Sequence, residues 1–240
     1  MAVTQLRDSN RVRVIIIAGG DGTRWGNHLG APKHLAPILG EPIIHRTQRQ
    51  LAELGVRDVL VVGTDARYVT TAALVAPRGY QSARGGVKKF LDSSHLWSPG
   101  GRTVVMYGDV CFTDTAIRTI VTYSSREWTL FCRFGESHHN PRRWGEVFAQ
   151  SFYPESHLEH RAALERVARL AERGVLQRAG GWEHYRAMRG LSDEQIAARP
   201  AGTSHGAAVV IDDATDDVDR PADYEALVRE FEFQHLEEVC

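Results

Sequence analysis

Cysteine, net charge and long apolar runs are all scarce in this chain, and each shortage closes off a class of protein. Three cysteines, Cys111, Cys132 and Cys240, stand in 240 residues. Odd in number and without metal-ligand spacing, they read as reduced thiols in a cytoplasmic protein. Lys and Arg total 29 against 30 Asp and Glu, a formal net charge of −1. That balance offers no field to recruit nucleic acid or an anionic membrane, so neither is expected as a partner. No segment approaches the roughly 20 apolar residues that span a bilayer. The polar start Met1–Arg13 precedes an apolar run too short for a secretory signal, so none is expected. His-Glu-x-x-His and Gly-x-Ser-x-Gly are missing, and His138 and His139 are adjacent rather than a helical turn apart. Zinc chemistry and an activated serine are therefore not expected.

The strongest positive signal lies near the start. Val12-Arg13-Val14-Ile15-Ile16-Ile17 leads into Ala18-Gly19-Gly20-Asp21-Gly22-Thr23-Arg24, and Pro32-Lys33 follows. Val and Ile without polar alternation predict a strand buried on both faces, as in a parallel sheet. Glycines at its end allow backbone N–H groups to approach an anion closely and to adopt dihedrals closed to other residues. Arg24 and Lys33 supply the cations. The spacing fits neither a P-loop, which needs a Lys directly after its glycines, nor a dinucleotide fingerprint, which Trp25 interrupts. A nucleotide-phosphate cradle remains, with an ordinary strand-to-helix turn as the bland alternative.

Periodicity then alternates. Glu41–Leu54 predicts a helix with Ile43, Ile44, Thr47, Leu51 and Leu54 on one face, stopped by Gly55. Val59–Val62 predicts a strand, Thr64–Ala76 a helix, Gly85–Leu91 another helix and Thr103–Tyr107 a buried strand. Thr113 is placed to cap a helix running to Thr122. Trp128–Phe134 and Glu146–Phe152 read as strands. From Pro154 to Gly190 the chain is helical, with Leu158, Ala162, Val167, Leu170 and Ala171 as its packed face and its seven arginines and five glutamates on a solvated one. Ala207–Ile211 returns as a strand, and Pro221–Phe233 as a last helix with Tyr224, Leu227, Val228 and Phe231 inward. Strand–helix–strand units of this length build an α/β domain with a doubly wound sheet. One domain over 1–240 with a helical insertion at 154–205 is the economical organisation, the insertion being either a solvated face or an acceptor-side lid.

Gly20-Asp21-Gly22-Thr23-Arg24, Pro32-Lys33 and Leu39-Gly40-Glu41-Pro42-Ile43-Ile44 together resemble the nucleotidyltransferase family with a GT-A-like fold. That family includes sugar-1-phosphate nucleotidylyltransferases, cytidylyltransferases and molybdenum-cofactor guanylyltransferases. The resemblance implies a Rossmann-like mixed, mainly parallel sheet with helices on both faces. It also implies a base over Ala18 and Gly19, phosphates on the backbone of Gly20, Gly22 and Thr23, and Arg24 and Lys33 as the catalytic cations.

Two acidic sites extend it. Tyr107-Gly108-Asp109-Val110 puts a carboxylate at the end of a buried strand, the edge where open parallel sheets bind ligands. Asp217-Val218-Asp219-Arg220-Pro221-Ala222-Asp223-Tyr224 is similar to a second family pattern, with Arg220 and Ala222 departing from the usual Thr and Glu. The resemblance makes Asp109 and Asp219 the ligands of Mg²⁺, or Mn²⁺ in its place. Asp114 is expected to be structural, and Asp216 and Asp217 to be loop solubilisers. His205 reads as a surface-loop residue or one able to reach the site, and Trp144 as a half-buried aromatic or a stacking platform. The implied function is transfer of a nucleoside monophosphate from a triphosphate to a small phosphorylated acceptor, a sugar 1-phosphate by analogy, with release of pyrophosphate. A GT-A glycosyltransferase using a nucleotide-sugar, and a nucleotide-binding module without turnover, are the alternatives.

Overall fold

The computed structural model describes residues 12–20, 22–78, 86–136, 145–198 and 208–239. In chain order the elements begin with β1 (Val12–Ile17), β2 (Pro37–Ile38), β3 (Glu41–Pro42), α1 (Ile43–Glu53), β4 (Asp58–Val62), β5 (Ala73–Val75) and α2 (Gly86–Asp92). There follow β6 (Arg102–Tyr107), β7 (Val110–Cys111), α3 (Asp114–Thr122), β8 (Thr129–Arg133) and β9 (Glu146–Phe152). The chain closes with α4 (His157–Glu172), α5 (Gly181–Met188), α6 (Asp193–Ala197), β10 (Ala208–Val210), β11 (Asp216–Asp217) and α7 (Pro221–Val239).

Among the described residues seven strands form one sheet in the order β10-β8-β9-β6-β1-β4-β5. β1 runs parallel to β4 and β6, and the two antiparallel joins both involve β9. This is the mixed, mainly parallel sheet expected, and both its faces are covered. Val14 and Ile16 point into a cluster with Ile44 and Leu51 of α1 and Ile117 and Ile120 of α3. Ile15 and Ile17 point the other way, into a cluster with Val87 and Phe90 of α2 and Leu164 and Val167 of α4. The unbroken apolar run of β1 follows from that double burial, since successive side chains face opposite layers.

Local signals set several boundaries. Thr113 accepts a hydrogen bond from the Ala116 N–H and starts α3. Gly55, with φ +80°, ends α1 in the left-handed conformation a side chain resists. Leu39 and Gly40, at φ +50° and +78°, make the two-residue turn between β2 and β3, of the kind that matches strand twist.

Two expectations are corrected. Thr64–Ala76 is not a helix but a 3₁₀ turn at Ala66–Tyr68 followed by the edge strand β5. The Gln48 amide, from α1, donates to the Tyr68 carbonyl and accepts from the N–H groups of Thr70, Thr71 and Ala72. Backbone groups that a helix would have paired are satisfied from outside the segment. In the helical region, Leu158 and Ala162 are exposed, and the packed face of α4 is His160, Ala163, Leu164, Val167, Ala168 and Leu170. Val167, Leu170 and Ala171 pack as expected, and His160, Ala163 and Leu164 take the place expected of Leu158 and Ala162.

That face carries an unusual core. The rings of His160 and His184 stack 4.8 Å apart, and Trp97 lies parallel on His160 at 4.7 Å. Burial pushes His184 from 6.5 down to about 3 and His160 well below its ordinary value. Both rings are therefore neutral in the fold, whereas the unfolded chain protonates them below 6.5. Stability is complete above that value and falls as pH drops from 6.5 towards 3. By linkage His184 alone removes about 2 kcal/mol at pH 5. Urea denaturation at pH 7.5 and 5.0 should show a clear loss that His184→Leu reduces without abolishing, since His160 and His34 are lowered by burial as well; equal midpoints at the two pH values would contradict this. Paired carboxylates do not mimic the effect, because their protonation begins lower.

Candidate active site

β1, β4 and β6 end side by side, and the chain turns away from each through a close backbone contact. The Ala18 N–H donates to the Val62 carbonyl and the Gly108 N–H to the Ile17 carbonyl, at 2.9 and 3.0 Å. Both flanks leave little room for a side chain. A Cβ at Gly63 would lie 2.9 Å from the Tyr68 ring and 3.0 Å from the Ala18 carbonyl oxygen, and one at Gly108 would lie 3.1 Å from the Ile17 carbonyl oxygen. Gly63→Ala should therefore cost about 1–3 kcal/mol, the usual price of overpacking, read as a lower denaturation midpoint. After β1, Gly22 takes φ +59° and begins a tight turn with Trp25 N–H on its carbonyl. Gly20 keeps an ordinary φ, so of these two only Gly22 uses the conformational freedom expected of both. Asp21 lies outside the described residues.

Trp25 anchors this turn. It is buried against Ile38, Ile43, Val218 and Leu227, and its indole N–H donates to the Ala31 carbonyl at 2.6 Å. Arg24 is thereby held at the rim with its side chain half exposed. Lys33 begins a 3₁₀ turn, Lys33–Leu35, that sends its side chain inward.

The two acidic segments meet through backbone pairing. β11 runs antiparallel to β7, with Asp216 opposite Cys111 and Asp217 opposite Val110. The Val218 N–H then donates to the Asp109 carbonyl at 2.8 Å. That ribbon brings Asp219 beside Asp109. Lys33 Nζ lies 2.5 Å from Asp109 Oδ2 and 3.0 Å from Asp219 Oδ1, while an Arg24 guanidinium nitrogen lies 2.5 Å from Asp219 Oδ2. Arg24, Lys33, Asp109 and Asp219, chosen from four separate stretches of sequence, form one ion cluster. Burial favours the neutral amine of Lys33, yet the two carboxylates outweigh it and hold the ammonium well above its usual range. Burial likewise works against ionisation of Asp109 and Asp219, and the Lys33 ammonium reverses it in both, holding them below the usual carboxylate range.

Asp216 and Asp217 are not loop solubilisers. Both are buried strand residues, and Asp216 pairs with the buried Arg133 at 2.9 Å. Arg133 also donates to the Thr215 carbonyl at 2.8 Å and lies over the Phe148 ring. Asp216 is compensated here by a cation from the sheet, while Asp212 of the same run is exposed. Asp114 is structural as expected, at the start of α3 and bonded to Gln50 at 2.6 Å.

Two further side chains at the site went unread in the sequence. Lys89 reaches from α2 to donate to the Gly19 carbonyl. The Lys88-Lys89 pair was the only signal, and a helix wheel alone does not say that Lys88 turns out to Glu172 while Lys89 turns in. His34 is buried against Tyr68, and burial pushes it down to about 4. Cys111 and Cys132 are free and buried, their thiols pushed up to about 12 by that burial. Cys240, His138, His139, Trp144 and His205 lie outside the described residues. Among the described residues no helix is long and apolar enough to cross a membrane.

The same architecture occurs in known structures. CTP:phosphocholine cytidylyltransferase (LicC) from Streptococcus pneumoniae superposes with a TM-score of 0.56 at 12% identity, covering 91% of this chain and 98% of the other. Rv0371c from Mycobacterium tuberculosis H37Rv superposes with a TM-score of 0.59 at 15% identity, covering 92% and 98%. At such identities the likeness concerns the fold. No curated protein matches the chain in sequence. Residues 14–187, from β1 nearly to the end of α5, match the MobA-like NTP transferase domain family. The chain belongs to that family and is a nucleotidyltransferase.

Proposed function

We propose that the protein is a Mg²⁺-dependent enzyme that transfers a nucleoside monophosphate from a nucleoside triphosphate to a small phosphorylated acceptor, a sugar 1-phosphate by family analogy, and releases pyrophosphate. The observation that carries this reading is the convergence of Asp109 and Asp219 on one cation, the Lys33 ammonium, at the carboxyl ends of β1 and β6. Two carboxylates gathered on a single cation are a donor set that fits Mg²⁺, which takes few carboxylates and completes its shell with waters and phosphate oxygens.

When bound, such an ion neutralises charge on the phosphates during in-line displacement. The chain's own residues do the positioning. Backbone N–H groups of Gly20, Gly22 and Thr23 receive the phosphates, with the base over Ala18 and Gly19. Lys33 offsets negative charge at the α-phosphate, and Arg24, half exposed at the rim, faces the departing pyrophosphate. An acceptor phosphate oxygen attacks the α-phosphorus, the bond to the bridging oxygen breaks, and its electron pair leaves with pyrophosphate. No protein nucleophile is needed. The region 154–205, of which 199–205 lie outside the described residues, packs through α4 and α5 on α2, the helix bearing Lys89, and is the acceptor-side region in this reading. Buried free thiols suit a cytoplasmic setting.

The test is pyrophosphate release with Mg²⁺, offering each nucleoside triphosphate against a panel of sugar 1-phosphates and phosphocholine. Acceptor-dependent release with one triphosphate is the expected result. Silence across the panel, with hydrolysis of a nucleotide-sugar instead, would turn the reading to glycosyl transfer.

A further inference from the structure

Within the ion cluster two carboxylates, Asp109 and Asp219, face two cations, Lys33 and Arg24, and three of these four side chains are largely withdrawn from water. Lys33 Nζ touches one oxygen of each carboxylate, the position between them that a divalent ion would take. Mg²⁺ binds carboxylate oxygens at roughly 2.0–2.1 Å. An ammonium and a dication sharing those same oxygens would sit a few ångströms apart in a poorly screened site, where like charges repel strongly. Metal arriving alone must therefore displace Lys33 from a buried pair and leave its charge uncompensated, which is costly.

A triphosphate changes this. It offers Lys33 another anion to hold, at the cradle that opens beside it. The backbone of the Lys33 turn is pinned by hydrogen bonds from Leu35 N–H to Pro32 and from Ala36 N–H to Lys33, at 2.8 and 3.0 Å. Only the side chain needs to move, and four rotatable carbons give it the reach.

We propose that the Lys33 ammonium occupies the cation position between Asp109 and Asp219 in the nucleotide-free enzyme, so that divalent metal and nucleoside triphosphate bind as a coupled pair. This rests on the metal role given to the two aspartates above. The coupling is reciprocal: whatever factor the nucleotide adds to metal affinity, the metal adds to nucleotide affinity. The site then resists free divalent ions that would otherwise occupy it unproductively, and it accepts metal with its nucleotide.

The experiment is Mn²⁺ binding to the full chain without nucleotide or acceptor, followed by electron paramagnetic resonance of the free ion. Wild type should bind weakly. Lys33→Met, which keeps the stem and removes the charge, should tighten Mn²⁺ by about tenfold or more, within the span usual for coupled sites. Lys33→Arg should not tighten it, and Asp109→Asn added to Lys33→Met should abolish the gain. Lys33→Gln serves as a second uncharged variant, and Mn²⁺ should raise the melting temperature of either uncharged variant more than that of wild type. Tight Mn²⁺ binding by the nucleotide-free wild type overturns the proposal without any variant. So does an unchanged or undetectable affinity in both uncharged variants. Because no nucleotide is present, the two readings fail separately. Tightened Mn²⁺ with no turnover in wild type removes nucleotidyl transfer and leaves the competition standing, and turnover without tightening removes the competition alone.

Discussion

Arg133→Met should destabilise the protein by about 3–5 kcal/mol, the cost of stripping one partner from a buried ion pair. The guanidinium is almost wholly buried, and Asp216, its partner at 2.9 Å, is more so. Removing it takes the cation from a buried carboxylate, which keeps the Asp217 N–H, and takes a donor from the Thr215 carbonyl. The penalty belongs to the buried charge that loses its cation more than to the lost pair. Pairing the change with Asp216→Leu should therefore restore at least half of the loss, since an apolar pair of similar volume often matches a buried ion pair. Equilibrium denaturation of the two single variants and the double variant reads this as a cycle. Strict additivity of the two losses would mean that Arg133 and Asp216 do not depend on one another.

Asp109→Ala should lower kcat/KM by roughly 10³-fold or more, about 4 kcal/mol of transition-state stabilisation, under the proposed reaction. The reason is position rather than charge alone. Asp109 stands at the close-packed exit of β6, fixed by Gly108 against β1, and shares Lys33 with Asp219. Its loss removes one of two proposed metal donors and frees Lys33 to lie on Asp219 alone. The fold should persist, because Lys33 keeps a partner at 3.0 Å and the Asp109 carbonyl still accepts from Val218. Unchanged circular dichroism with lost pyrophosphate release is the expected pair of observations. Turnover at the wild-type rate would show that Asp109 is not a metal ligand.

The legible parts of the fold and site were those in which neighbours in sequence decide the outcome. The β1 run, the Thr113 cap, the Gly55 stop and the Gly108-Asp109 strand end each depend on a few consecutive residues. Lys33 and Arg24 were legible for the same reason, as cations close behind a glycine turn, and Asp219 through its motif. What failed to show was decided at a distance. Thr64–Ala76 is a turn and a short strand because Gln48 of α1 satisfies the backbone of Tyr68 to Ala72 and β4 pairs with Ala73–Val75. Asp216 was buried because Arg133 arrives from β8, and nothing beside an acidic run announces a cation on another strand. Lys89 went unread because the direction of one lysine on a helix depends on what the helix packs against.

The ribbon of β7 and β11 also bears on how the molecule comes to be active. The glycine turn proposed to hold phosphate and Lys33 belong to the β1–α1–β4 unit, whose contacts close over shorter stretches of chain. The Val218–Asp109 bond joins segments more than a hundred positions apart, and the carboxylate pair forms only when that loop closes. Closing so long a loop carries an entropic cost before any contact repays it, and distant contacts form slowly. On that ground the acidic pair is expected to be the last part of the site to form.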